Sequence, residues 1–161
     1  MQCTLMQARN ERRMRPAAAT LFTIGYQAHS VESLIKCLKV HGVEVLMDVR
    51  QNPSSRKPGF SKRRLQDAIS QAGIEYHHNP DLGTPPKIRN TYRSTGDVSD
   101  ALAEYERHLS LNTEPIQSLA RIAVSKKVCL LCLESDHRMC HRGIIARKLC
   151  EITKWQPIHL A

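Results

Sequence analysis

Two hydrophobic periods alternate along this chain. Short, nearly continuous apolar runs occupy 21–24, 43–49 and 127–133, and a shorter strand-like segment occupies 74–77; the first two read as strands buried on both faces. Between the first of them, apolar residues return every third or fourth position: Val31, Leu34, Ile35 and Leu38, then Leu65, Ala68, Ile69 and Ala72. That spacing lays one apolar stripe along a helix. Ser30 and Ser61 stand where N-caps belong, and Gly42 and Gly73 where the helices stop. Further helices are predicted over 98–109 and 114–124, the second tolerating Pro115 in its first turn, and after Cys140 as far as Leu149. A last short strand covers 157–160. The segment from His78 to about Gly96 breaks the pattern. It is rich in Asn, Pro and Gly and reads as an open loop of the length used for lids or binding.

Strands alternating with helices imply a three-layer α/β sandwich with a mainly parallel sheet. Right-handed crossovers then place every strand's carboxyl end on one edge, where open α/β sheets bind their ligands. The predicted tips collect there as Tyr26, Asp48 with Arg50, His78, and Cys132 with Glu134 and the turn Cys140-His141-Arg142. Strand bodies are apolar and strand tips ionisable, so the candidate chemistry gathers on that edge.

The chain has 161 residues, 41% of them hydrophobic, which fits one α/β domain over 20–161. Residues 1–19 lack apolar periodicity and carry Arg9, Arg12, Arg13 and Arg15, so they are expected to be a disordered extension. Six cysteines without a signal-peptide core read as reduced thiols in a cytoplasmic protein. No run approaches the length needed to span a bilayer, so no membrane partner is expected. The net charge of +9 points instead to an anionic partner, either a small molecule or a nucleic acid. Arg50, Arg56, Lys57, Lys62, Arg63 and Arg64 form one basic group, and Arg138, Arg142, Arg147 and Lys148 another.

Each tip residue admits two roles. Cys140, preceding a helix and near Arg142, reads as a thiolate nucleophile or as a buried capping thiol. Glu134 is a general base or an ion-pair partner of Arg142. Asp48 and Arg50 contact a ligand or brace the adjoining loop, and His78 carries protons or anchors the loop. Cys132 reads as core. Its five-residue spacing to Arg138 matches a phosphate-binding cysteine loop in length only, because Glu134 and Asp136 lie inside it and glycine does not. Cys132, Glu134, Cys140, His141 and His78 are zinc-ligand types, but adjacent Cys140 and His141 rarely aim at one ion and two Cys-x-x-Cys pairs are absent, so no metal is expected. No residue pattern names a cofactor.

The segments Thr23-Ile-Gly-Tyr26, Leu46-Met-Asp-Val-Arg50 with Pro53-x-x-Arg56 and Pro58-Gly-Phe-Ser61, Gly73-Ile-Glu-Tyr-His-His78 with Leu82-Gly83, and Leu131-Cys-x-Glu134 with Cys140-His-Arg142 resemble, in that order, the domain of unknown function 488 family. The resemblance covers about 21–160. It implies a small prokaryotic cytoplasmic α/β protein with no settled activity, and a residue pattern that includes Tyr26, Asp48, Arg50, Arg56, His78, Cys132, Glu134, Cys140, His141 and Arg142. Here Thr84-Pro85-Pro86 follows Leu82-Gly83, where members usually carry further glycine. Asp48-Val-Arg50 also resembles part of the rhodanese domain, without its glycine-bearing cysteine loop, so a flavodoxin- or rhodanese-like sheet is expected. Two functions stay open. One is a hydrolase or transferase for an anionic, phosphorylated or nucleotide-like compound, with Cys140, Glu134, His78 and Asp48 catalytic and Tyr26, Arg50, Arg56, His141 and Arg142 binding substrate. The other is a non-catalytic module holding nucleic acid or a nucleotide through the basic loop 50–64.

Overall fold

The computed structural model describes residues 20–161; the extension expected over 1–19 lies outside the described residues. Five strands, β1 (Leu21–Gly25), β2 (Val45–Asp48), β3 (Glu75–His78), β4 (Val128–Cys132) and β5 (Ile158–Leu160), pair in parallel in the order β3-β2-β4-β1-β5. Helices α1 (Val31–Val40), α2 (Lys62–Gln71), α3 (Pro86–Thr95), α4 (Val98–Leu111), α5 (Glu114–Ala123) and α6 (His141–Thr153) complete the layers. This is the three-layer α/β fold that the alternation implies.

Side-chain alternation along the strands sorts the core into two halves. Phe22, Ile24, Leu46, Cys129 and Leu131 meet α1 and α2 through Leu34, Leu38, Leu65 and Ile69. Leu21, Val45, Met47, Val128, Leu130 and Cys132 meet α3 to α6 on the opposite face, through residues such as Ile88, Tyr105, Leu119 and Ile145. The chain therefore leaves β1 and β2 toward one face and leaves β4, which lies between them, toward the other. Diverging connections open a crevice above the tip of β4, the usual ligand position in such sheets.

Two close backbone approaches shape that crevice. A Cβ on Gly25 would lie 1.8 Å from the Glu134 carbonyl oxygen, and one on Gly83 would lie 2.3 Å from the Gln51 amide nitrogen. Only glycine lets the β1 tip touch the chain leaving β4, and lets the segment after β3 touch the one after β2.

The structure corrects the sequence reading at one element. Residues 86–95, expected as open loop, form α3. Pro86 sits in the first turn, where its missing N–H is not needed. Ile88 is buried in the core, and Gly96 ends the helix at φ +71°. Burial of that side chain outweighs a breaker-rich composition. The preceding segment is not regular beyond a single 3-10 turn at Pro80–Leu82.

Candidate functional site

Cys132 ends β4 and Cys140 occupies the N-cap position of α6, where its side chain makes no capping hydrogen bond. The cap residue leaves its thiol free to face inward, and the eight-residue connection folds back so that both sulfurs meet His141. Each Sγ lies 3.8 Å from His141 Nδ1, and all three donor atoms lie within 4.8 Å of one another. The other ring nitrogen, Nε2, is 3.0 Å from the Val49 carbonyl oxygen. A carbonyl only accepts, so Nε2 carries the proton and Nδ1 is left to the sulfurs. Tyr105 of α4 packs edge-on against the imidazole at 5.3 Å and donates its own hydroxyl to the Leu82 carbonyl at 2.6 Å. The imidazole is thus fixed by two elements besides its own helix.

Charge in this cluster is unevenly distributed. Burial pushes the Cys140 thiol up, but hydrogen bonds from Cys132 and His141 and the charges of His141 and Arg142 outweigh it and hold the thiol well below its ordinary value. Burial likewise works to lower His141, and its hydrogen bond and attraction to Cys140 raise it on balance. The Cys132 thiol is pushed well up, first by its hydrogen bond to Cys140 and then by burial. Burial, followed by the charge of Cys140, raises Glu134, whose Oε2 accepts from the Cys132 thiol at 3.3 Å. The favoured arrangement is a Cys140 thiolate beside a His141 imidazolium, with a neutral thiol at Cys132.

These groups open onto a cleft of about 510 Å³ lined by Tyr26, Arg50, Glu134, Cys140 and His141 together with residues of α3 and α4. The remaining expected residues stand around it. Asp48 is fully buried and holds Arg50 by two contacts, Nε to Oδ1 at 2.8 Å and Nη2 to Oδ2 at 2.6 Å. Arg50 also reaches Tyr26 Oη at 3.2 Å and the Phe60 carbonyl at 2.9 Å, with its guanidinium 5.0 Å from the Tyr26 ring centre. His78 spends Nε2 on the Arg50 carbonyl at 2.8 Å and Nδ1 on Lys62 at 3.1 Å. Arg142 is buried and donates to the carbonyls of Glu134 and Ser135, clamping the connection after β4 against Gly25. Asp48, His78 and Arg142 support the cleft and are not among its lining residues. Arg56 is exposed and also outside the lining.

The sequence model of the family described as "Domain of unknown function DUF488" matches residues 30–149. The chain belongs to this family. No curated protein and no solved structure matches it. The matched span ends within α6 and includes β2, β3, β4 and the complete cysteine and histidine cluster; Tyr26 precedes it.

Cys132, expected as core or as one of several zinc ligands, is core by burial yet shares its sulfur with the cluster. Two features of this family member's cleft had no counterpart in the sequence expectations. Tyr105 sits in a helix whose apolar face alone gave no reason to single it out. Arg89, Tyr92 and Arg93 lie in the segment expected as loop. The four-residue step from Ile88 to Tyr92 and from Arg89 to Arg93 was the available signal for a helix there. The Cys-x-x-Cys spacing of Cys129 and Cys132 carries no shared site, because strand alternation sends the two thiols into opposite halves of the core.

Proposed function

We propose that this chain is a thiol-dependent hydrolase or transferase acting on an anionic compound, with Cys140 as nucleophile. One observation carries the reading: Cys140 Sγ faces an imidazole nitrogen whose ring is oriented from behind by the Val49 carbonyl, at the wall of a cleft. Nucleophile, base and orienting group in sequence is the general arrangement of covalent catalysis. The Cys140 thiolate attacks an electrophilic centre of the substrate, forming a bond from sulfur to that centre. The leaving group departs with the proton of His141 or Glu134. Water or a second acceptor then displaces the sulfur, returning a proton to the same pair. Glu134, raised by burial, is suited to that proton traffic.

The nucleic-acid alternative draws less support. Of the basic loop 50–64, Arg50 is paired with Asp48, Lys57 donates to the carbonyls of Tyr26 and Gln27, and Lys62 lies against His78. Arg56, Arg63 and Arg64 are the exposed remainder. Absence of DNA and RNA retention at low salt would remove that alternative, since phosphate-backbone binding is strongest there.

A second reading rests on the same three donor atoms. Two thiolates and one imidazole are a zinc ligand set that leaves a fourth position open, and a histidine whose other nitrogen holds a carbonyl is typical of metal ligation. Alkylation and metal analysis separate the two. Under the nucleophile reading the purified chain is metal-free, and iodoacetamide labels Cys140 faster near neutral pH than it labels free cysteine. Stoichiometric zinc lost on Cys132→Ser, with slow labelling until a chelator is added, would replace that reading by the metal one. Slow labelling of metal-free protein would remove both.

A further inference from the structure

We infer that the cleft takes a substrate with an apolar body ending in an oxyanion, and that Arg89 and Arg93 of α3 bind the oxyanion. The inference rests on the proposed thiol chemistry only for where the far end of the substrate lies. It arises from cations that the protein leaves uncompensated.

Arg89 and Arg93 are one helical turn apart and both line the cleft. Arg89 Nε is buried without a hydrogen-bond partner among the described residues. Its Nη2 makes a single long contact, 3.4 Å to Gln51 Oε1. Among the described residues neither arginine forms an ion pair. A buried donor on a charged group is costly to leave unmade, and a planar guanidinium is built to grip a carboxylate or phosphate with two parallel bonds. Arg50, the third arginine of the cleft, is already neutralised by Asp48. Among the described residues Glu134 is the one acidic residue in the lining, and its position beside Cys132 places it at the thiol end. Positive charge is therefore concentrated on α3.

The rest of the wall is apolar. Ile88, Leu102, Leu133 and Met139 line it, and Leu133 and Met139 are 44% and 52% exposed on the flanks of the cluster. Tyr92, 42% exposed, stands between the two arginines on the same helix. Large apolar side chains exposed together beside unpaired cations mark a surface for a ligand with both characters. A small, fully polar anion would leave that wall in water.

Paired affinity labels test this. N-iodoacetyl-phenylalanine and N-iodoacetyl-phenylalaninamide carry the same reactive group and apolar body and differ in the carboxylate; N-iodoacetyl-glycine lacks the body, and an iodoacetylated phosphate ester of similar length compares phosphate with carboxylate. The expected result is that the carboxylate labels Cys140 about tenfold faster than the amide. That ratio falls toward one in Arg89→Gln, falls less in Arg89→Lys, and is smaller for the glycine reagent. A ratio near one in the wild type overturns the subsite. Thermal shift with N-acetylphenylalanine against its amide reads the subsite without the thiol. Stabilisation by the carboxylate alone, absent in Arg89→Gln, sustains the subsite even if Cys140 proves unreactive. No shift, or an equal shift from both, refutes it. Slow labelling by every reagent refutes the nucleophile and leaves this second measurement to decide the subsite.

Discussion

Asp48→Asn keeps the size of the side chain and removes its charge. The two carboxylate oxygens accept four donors: the Arg50 amide at 3.1 Å and Nε at 2.8 Å on one oxygen, Arg50 Nη2 and the Tyr76 hydroxyl, both at 2.6 Å, on the other. An asparagine NH₂ must occupy one of those oxygen positions, where it meets two donors and satisfies neither. Asp48 is fully buried and Arg50 is 6% exposed, so the guanidinium is left as an uncompensated charge out of water. Removing one partner of a buried pair costs about 3–5 kcal/mol, a large share of the roughly 5–15 kcal/mol that holds a domain together. With a urea slope of about 2 kcal/mol/M, the unfolding midpoint falls by about 2 M. Circular dichroism in urea measures it. Replacing both partners, as Asp48→Leu with Arg50→Met, should recover a substantial part of the loss, since the lone charge is then gone. A loss below about 1 kcal/mol in Asp48→Asn, at unchanged slope, would refute the view that this carboxylate is a buried brace for Arg50.

Four further outcomes follow from particular contacts. The depressed thiol of Cys140 keeps more of its thiolate as the pH falls, so alkylation should slow less between pH 8 and pH 6 than that of a free cysteine, which slows roughly 80-fold over that range; His141→Ala should move the inflection upward, and an inflection already near that of free cysteine would contradict the pairing. Gly25→Ala drives a methyl into the Glu134 carbonyl; it should destabilise by about 2 kcal/mol or more and slow Cys140 alkylation by displacing the connection after β4, both read on one preparation. Ser30→Ala should cost about 1 kcal/mol in thermal unfolding, because its hydroxyl caps α1 through the Ser33 amide at 3.1 Å. Ser61→Ala should instead loosen the loop that its hydroxyl holds through the Ser55 carbonyl, without a capping loss at α2.

Much of the fold was legible because its signals are local. The stripe Leu34, Leu38 and the cap at Ser30 define α1 within a dozen residues, and the apolar run ending at Cys132 defines β4 in the same way. The collection of Tyr26, Arg50, Glu134, Cys140 and His141 on one edge was also foreseeable, because parallel topology makes strand tips converge. What failed was reading α3 from composition. Pro85-Pro86 and the polar residues around them resemble loop, and burial of Ile88 in the core favours the helix over that composition. With α3 unseen, Arg89 and Arg93 could not be placed at the cleft.

From the sequence alone came the order of the strands and of every helix but α3, the parallel sheet and the segment that carries the cysteine and histidine cluster, since period and capping act between neighbours in the chain. Which atoms meet was decided by tertiary structure. Cys132 and Cys140 share one imidazole because β4 is registered between β1 and β2, Gly25 admits the Glu134 backbone, and Arg142 clamps the returning connection. The same packing made Asp48, His78 and Arg142 supports of the cleft while their residue types suggested chemistry. Distances of a few ångströms between groups far apart in sequence depend on strand register and helix placement, and no local pattern encodes those.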